Sequence, residues 1–195
     1  MRVLFSADFH GDFSRLFQLA GQADLCICCG DIFDYHQLPS GDFEFPLPFF
    51  TVKGNKELWG QKKLQQALER CHNFFWLNHH LDKLEELTGM RFAGIDHRKE
   101  PTTIPESIDV LVSHQPAHGL ADQCGDPFHA KMIPHCGSKA VKRLVDLSQP
   151  RLVVAGHVHQ FQQQQIGNIR AVTLSPALSN PVLMLRGEHL ELIDY

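Results

Sequence analysis

The 195-residue chain is 43% hydrophobic and 21% charged, with a formal net charge of -4; this is the balance of a soluble protein, and one domain is expected over residues 1–195. The negative charge disfavours a non-specific nucleic-acid partner, which needs clustered Lys and Arg to displace counterions. No apolar run reaches the length of a membrane span, and Asp8 and His10 interrupt the first apolar stretch before it could serve as a signal peptide. The expected location is cytoplasmic, where the six cysteines stay reduced and pack as small hydrophobes.

Val3-Leu4-Phe5 is a short apolar run of strand length, and Asp8 and His10 follow it two residues apart. In an extended backbone both side chains leave one face, a geometry that can grip a metal ion. Phe13, Leu16, Phe17 and Ala20 then fall at helical spacing, with Gly21 as a stop. Leu25 to Cys29 is continuously apolar, as a strand covered on both faces should be, and ends in Gly30-Asp31-Ile32-Phe33-Asp34. Strand, helix, strand in this order predicts parallel pairing, with both polar loops on one edge of a sheet.

Residues 35–48 are rich in Pro, Gly and aromatics and read as an irregular loop walling a pocket. Phe49 to Val52 reads as a third strand ending in Lys53-Gly54-Asn55-Lys56-Glu57, and Leu64, Ala67, Leu68 and Cys71 predict a second amphipathic helix. From Phe74 the chain alternates short apolar runs with turn candidates, ending in Met90 to Ile95 as a strand of a second sheet. Asp109 to Ser113 forms a strand that delivers His114, and residues 117–134 read as loop. A helix over Lys139 to Leu147, N-capped by Ser138, turns Ala140, Val141, Leu144 and Val145 inward. Arg151 to Ala155 delivers Gly156-His157-Val158-His159, and Val182 to Leu185 with His189 to Ile193 predict a hairpin turned at Gly187.

Five strand ends therefore carry metal-competent residues: Asp8 with His10, Asp31, Asn55, His114, and His157 with His159. One such residue alone would be ordinary; their recurrence at equivalent positions points to a site. Carboxylate, amide and imidazole without thiolate suit two divalent transition-metal ions, Mn²⁺ foremost, with Fe, Co²⁺, Ni²⁺ or Zn²⁺ as alternatives. Seven ligands exceed one open tetrahedral site and suit two ions bridged by Asp31. Such a pair, roughly 3.5–4 Å apart, activates a bridging hydroxide for attack on a phosphoryl group.

The ordered pattern D-x-H, G-D-x-x-D, G-N, a lone His after a strand, and G-H-x-H, running from Asp8 to His159, resembles that of the calcineurin-like metallophosphoesterases, in particular their small uncapped prokaryotic members. The resemblance implies an α/β fold, a four-layer αββα sandwich of two mixed β-sheets flanked by helices. It assigns Asp8, His10, Asp31 and His159 to one ion and Asp31, Asn55, His114 and His157 to the other, and it places Asn55, Lys56 and His114 at the chemistry. The implied reaction is hydrolysis of a small phosphate ester, a phosphodiester in preference to a monoester. The alternative is a binding or scaffold module of this fold with little catalysis.

One position departs from the family pattern. Where the family has a histidine after G-N, this chain has Lys56. Lys56 either lends positive charge to the phosphate or pairs with a neighbour at the surface. Glu57 and Asp34 read as residues that orient their neighbours, and His36, His118, His129 and His135 lie on loops from which one could replace the missing acid. The exposed edge of the C-terminal hairpin offers a homodimer contact.

Overall fold

The computed structural model describes residues 1–34, 36, 38–39, 41–59, 61–99, 107–125, 132–179, 182–187 and 189–193. Strands β1 (Arg2–Ser6), β2 (Leu25–Cys28), β3 (Phe43–Thr51) and β4 (Cys71–Trp76) are parallel. The predicted C-terminal hairpin, β12 (Val182–Arg186) and β13 (His189–Ile193), completes their sheet in the order β13-β12-β1-β2-β3-β4. The second sheet runs β10-β11-β9-β6-β5, from β5 (Phe92–Ile95), β6 (Val110–Ser113), β9 (Leu152–Ala155), β10 (Gln162–Ile166) and β11 (Ile169–Thr173); only β10 is antiparallel. Cys124–Gly125 (β7) and Met132–Ile133 (β8) form a separate ribbon.

The period-2 alternation of side chains builds the layers. Val3 and Phe5 of β1, with Leu25, Ile27, Phe50 and Val52, face Val110, Val112, Val154 and Val172 across the space between the sheets. The intervening residues Leu4, Cys26, Cys28 and Phe49 point the other way, onto α1 (Ser14–Leu19) and α3 (Gln61–Leu68) through Leu16, Leu19, Leu64 and Leu68. On the far side Leu111, Val153 and Ala171 meet Val141, Leu144 and Val145 of α5 (Lys139–Ser148). The result is the αββα sandwich. Ser138 caps α5, its Oγ accepting from Val141 N at 3.3 Å.

Several local expectations are corrected. Residues 43–48 belong to β3 rather than to a loop. Pro46 and Pro48 fall where the register with β4 shifts, between Glu44 and Phe49, so no ladder N–H is demanded of them. Phe17 is exposed rather than inward: α1 turns only Leu16 and Leu19 into the core. Cys71 opens β4 rather than closing a helix, although its thiol still donates to Ala67 O. The middle stretch contains α4 (Leu81–Thr88), which buries Leu84 against the inter-sheet core. The 117–134 loop contains the β7–β8 ribbon, and β10–β11 is an unanticipated hairpin.

Candidate metal centre

The C-terminal ends of β1, β2, β3, β6 and β9 meet at one edge of the sandwich, and their loops are stitched together by main-chain hydrogen bonds. Asp8 N donates to Gly30 O, His10 N to Asp31 O, and Gly156 N to His114 O, all at 3.0–3.1 Å. Asp8 and His10 do not converge through extended backbone, as the sequence suggests. Both are left-handed, with φ of 52° and 49°, and so are Asp31 (54°), His157 (72°) and His159 (55°). Asp and His tolerate this region better than most residues, and such conformations cluster at functional sites.

The turns also need bare backbone beside the carboxylates. A Cβ on Gly54 would sit 2.1 Å from Asp31 Oδ1, and one on Gly156 would sit 2.6 Å from Asp8 Oδ2. Here the family's G-N and G-H glycines have a steric reason. Glu57, on the helical turn α2 (Asn55–Trp59), locks these loops together by accepting from Asp31 N, Ile32 N and Gly54 N at 2.7–2.9 Å.

All seven candidate ligands are brought together. His114 Nε2 lies 2.9 Å from Asn55 Oδ1, 3.0 Å from His157 Nδ1 and 3.7 Å from Asp31 Oδ1. His10 Nε2 lies 3.3 Å from His159 Nε2, which is 3.7 Å from Asp8 Oδ1. Bonds of about 2.0–2.2 Å to one ion place adjacent ligand atoms roughly 2.8–3.6 Å apart; the spacings of 2.9–3.3 Å fall in that range and the two of 3.7 Å lie just beyond it. Asp8 Oδ1 is buried without a hydrogen-bond partner. A cation resolves that unmet acceptor, and the donor set therefore fits divalent metal ions.

Hydrogen bonds outside the cluster set the tautomers. Cys29 O takes the Nδ1 proton of His114 at 2.7 Å and Asp34 takes that of His10 at 3.2 Å, leaving each Nε2 lone pair facing the cluster. Burial pushes His114 down to about 3 and also lowers His157, so both imidazoles are neutral and ready to ligate. Asp8 beside it raises His159, while burial raises Asp31 against the hydrogen bond from Lys56 N. Burial, with the charge of Asp31, lifts Glu57 to about 7 despite its three N–H donors.

The centre has a sealed floor and an open rim. The side chains of Asp8, Asp31 and His114 are at most 3% exposed, whereas His10 is 23% and His159 49% exposed. Lys56 stands on the rim, its Nζ 3.0 Å from the same Asp34 Oδ1 that holds His10. Burial pushes the Asp34 carboxyl up, but the Lys56 hydrogen bond and the charges of His10 and Lys56 more than offset it. Asp34 thus orients two neighbours, as expected, and Glu57 does the same from inside.

Sequence reasoning missed His97. It is buried, with its ring 5.4 Å from that of His114 and 5.3 Å from that of His157, and burial lowers its pKa to about 4. His97 N donates to Lys53 O, and the neighbouring Asp96 accepts from Lys53 N. The signal was available, since Ile95 closes a strand and Asp96-His97 follows it. Of the loop histidines, His36 is exposed, His118 and His135 flank Asp122, and His129 lies outside the described residues.

The fold and this donor set define an αββα protein with a candidate metal centre at one edge of its two sheets. The family model for calcineurin-like phosphoesterases matches residues 1–161, and the chain belongs to that family. A dimetal phosphatase from Danio rerio superposes with a TM-score of 0.60 at 13% identity, covering 100% of this chain and 99% of that one. GAP50 of Plasmodium, described as the anchor in the inner membrane complex, gives 0.57 at 11%, covering 100% and 88%. TT1561 of Thermus thermophilus gives 0.52 at 13%, covering 98% and 97%. At such identities these likenesses speak for the fold. Comparison with curated protein sequences gives no match. Among the described residues no helix is long and apolar enough to cross a membrane.

Proposed function

We propose that the chain is a binuclear-metal-dependent phosphoesterase acting on a small phosphate ester, a phosphodiester in preference to a monoester. The observation that carries this reading is the convergence of seven oxygen- and nitrogen-bearing side chains, the orphaned Asp8 Oδ1 among their atoms, with a solvent-open rim above them. Asp8, His10, Asp31 and His159 would hold one ion and Asp31, Asn55, His114 and His157 the other, with Mn²⁺ the first metal to test and Fe, Co²⁺, Ni²⁺ or Zn²⁺ the alternatives that a mixed carboxylate and imidazole set without thiolate also suits. Bound there, two such ions supply Lewis acidity that acidifies water and neutralises charge growing on a phosphoryl group.

The chain's own residues do the rest. Asn55 Oδ1 and His114 Nε2 meet at 2.9 Å on the floor, and Cys29 O holds the His114 tautomer, so the lone pair of Nε2 would face the ion before substrate arrives. Lys56 offers a cation at the rim, and Asp34 cancels much of its charge. That balance suits a singly charged diester better than a dianionic monoester. Six free cysteines, three of them fully buried, support the cytoplasmic reading.

The test is turnover of bis-p-nitrophenyl phosphate and p-nitrophenyl phosphate by chelator-stripped protein. Mn²⁺ is expected to restore a rate that is higher on the diester. A protein that binds no metal and shows no metal-dependent rate instead fits the scaffold reading.

A further inference from the structure

We infer that His118, Asp122 and His135 form a separate site for one transition-metal ion of the Zn²⁺ type, sharing no residue with the centre above. The three donor atoms lie within 4.8 Å of one another. His135 Nδ1 is 3.0 Å from Asp122 Oδ1, His118 Nδ1 is 3.6 Å from Asp122 Oδ2, and the two ring centroids lie 5.4 Å apart in an edge arrangement. The 3.0 Å contact is a hydrogen bond as it stands, whereas the 3.6 Å spacing is too long for one and is near the edge, about 3.4 Å, of a tetrahedron with bonds of about 2.1 Å. His118 Nδ1 is buried and has no hydrogen-bond partner. An Asp122–His135 ion pair alone leaves that nitrogen unmet, whereas a cation between the three resolves it.

The carboxylate is held as a ligand needs to be held. Asp122 is 2% exposed, and its Oδ2 accepts from Gly119 N at 2.9 Å and Gly137 N at 3.0 Å, one from each of the two segments that carry the imidazoles. Those segments are joined by the Ala117–Ser138 bridge and by Cys136 N donating to Asp122 O. The glutamine run of β10 fastens them further: Gln164 Oε1 accepts from Ala121 N, and Gln162 Oε1 from Gln123 N, both at 3.0 Å, bracketing Asp122. Two imidazoles with one carboxylate are a ligand set for Zn²⁺ rather than for Ca²⁺ or Mg²⁺. Asp122 and His135 also line a polar cavity of about 420 Å³ with Gln162 and Gln164, which leaves room for a fourth ligand. Binding displaces the proton shared by His135 and Asp122.

The experiment is Zn²⁺ equilibrium dialysis of the stripped full-length chain, with bound metal counted by mass spectrometry, for the wild type, His118→Asn, His135→Asn and Asp31→Asn. The expected result is one ion fewer per chain in each histidine variant than in the wild type, with that ion kept in Asp31→Asn. Co²⁺ should give a tetrahedral visible band in Asp31→Asn that disappears when His135→Asn is added. Equal Zn²⁺ content in the wild type and both histidine variants, or no such band in Asp31→Asn, overturns the site. Circular dichroism in chelator must match the wild type for a variant's count to stand; if both variants fail it, the Co²⁺ band of Asp31→Asn alone decides. Failure of the binuclear reading is distinguishable, because it appears as unchanged metal content in Asp31→Asn.

Discussion

The floor and the rim of the centre both use Asp and His, under opposite conditions, and the rim adds Lys56. Asp8, Asp31 and His114 are sealed, oriented by backbone groups and, for Asp31 and His114, shifted in pKa by burial. His10, His159, Asp34 and Lys56 touch water and are oriented mainly by one another. The floor is therefore shaped by the fold, and a change there displaces main chain. The rim is shaped by ion pairs, which salt and pH can reach and which are individually weak.

The largest effect should come from the floor. Asp31→Asn is expected to reduce Mn²⁺-supported turnover of bis-p-nitrophenyl phosphate by about a thousandfold, the several kcal/mol that a metal site supplies; a loss below about tenfold would break the contrast. Gly54→Ala puts a methyl 2.1 Å from Asp31 Oδ1, and the misplacement it forces, of about 1 Å, should cost roughly a hundredfold in kcat/KM. Glu57→Gln sets an amide against three N–H donors and should weaken metal affinity about 10- to 100-fold, read by competition with a chromogenic chelator. On the rim, Lys56→Met should lower kcat/KM by less than about tenfold without changing metal content, with much of the difference gone at high salt.

The smallest effect concerns pH in the metal-free protein. The unfolded chain protonates His114 near its ordinary value, while the folded chain keeps it neutral down to about 3. The contribution of this group is thus fully present above about pH 6.5 and is lost as pH falls toward 3. The urea midpoint of the wild type should exceed that of His114→Asn by more at pH 7 than at pH 5; a gap that widens on acidification would contradict the sign.

Much of this architecture was legible because strand ends and metal donors coincide. Asp8, Asp31, Asn55, His114 and His157 each follow an apolar run whose length alone marks a strand. What stayed hidden did so for physical reasons. Pro46 and Pro48 disguised β3, since only a register shift makes prolines acceptable there. The glutamines of β10 carried no apolar alternation, being an edge strand whose side chains serve as hydrogen-bonding brackets instead. Phe17 matched the helical period, yet it falls outside the arc that Leu16 and Leu19 turn into the core. The convergence of Asp8 with His10 was anticipated, but through the wrong backbone, because no periodicity reports a left-handed residue.

That backbone has a bearing on how the site can change over generations. Five of the seven candidate ligand positions hold a left-handed residue, a conformation open chiefly to Gly, Asn, Asp and His. The last three are also metal donors. Drift at these positions is therefore steered twice toward one short alphabet, once by the main chain and once by the ion. A lineage that gave up metal altogether would still be confined by the main chain to Gly, Asn, Asp or His there. Asn55 and His114, which escape the left-handed constraint, are where a loss of function would first be written into the sequence.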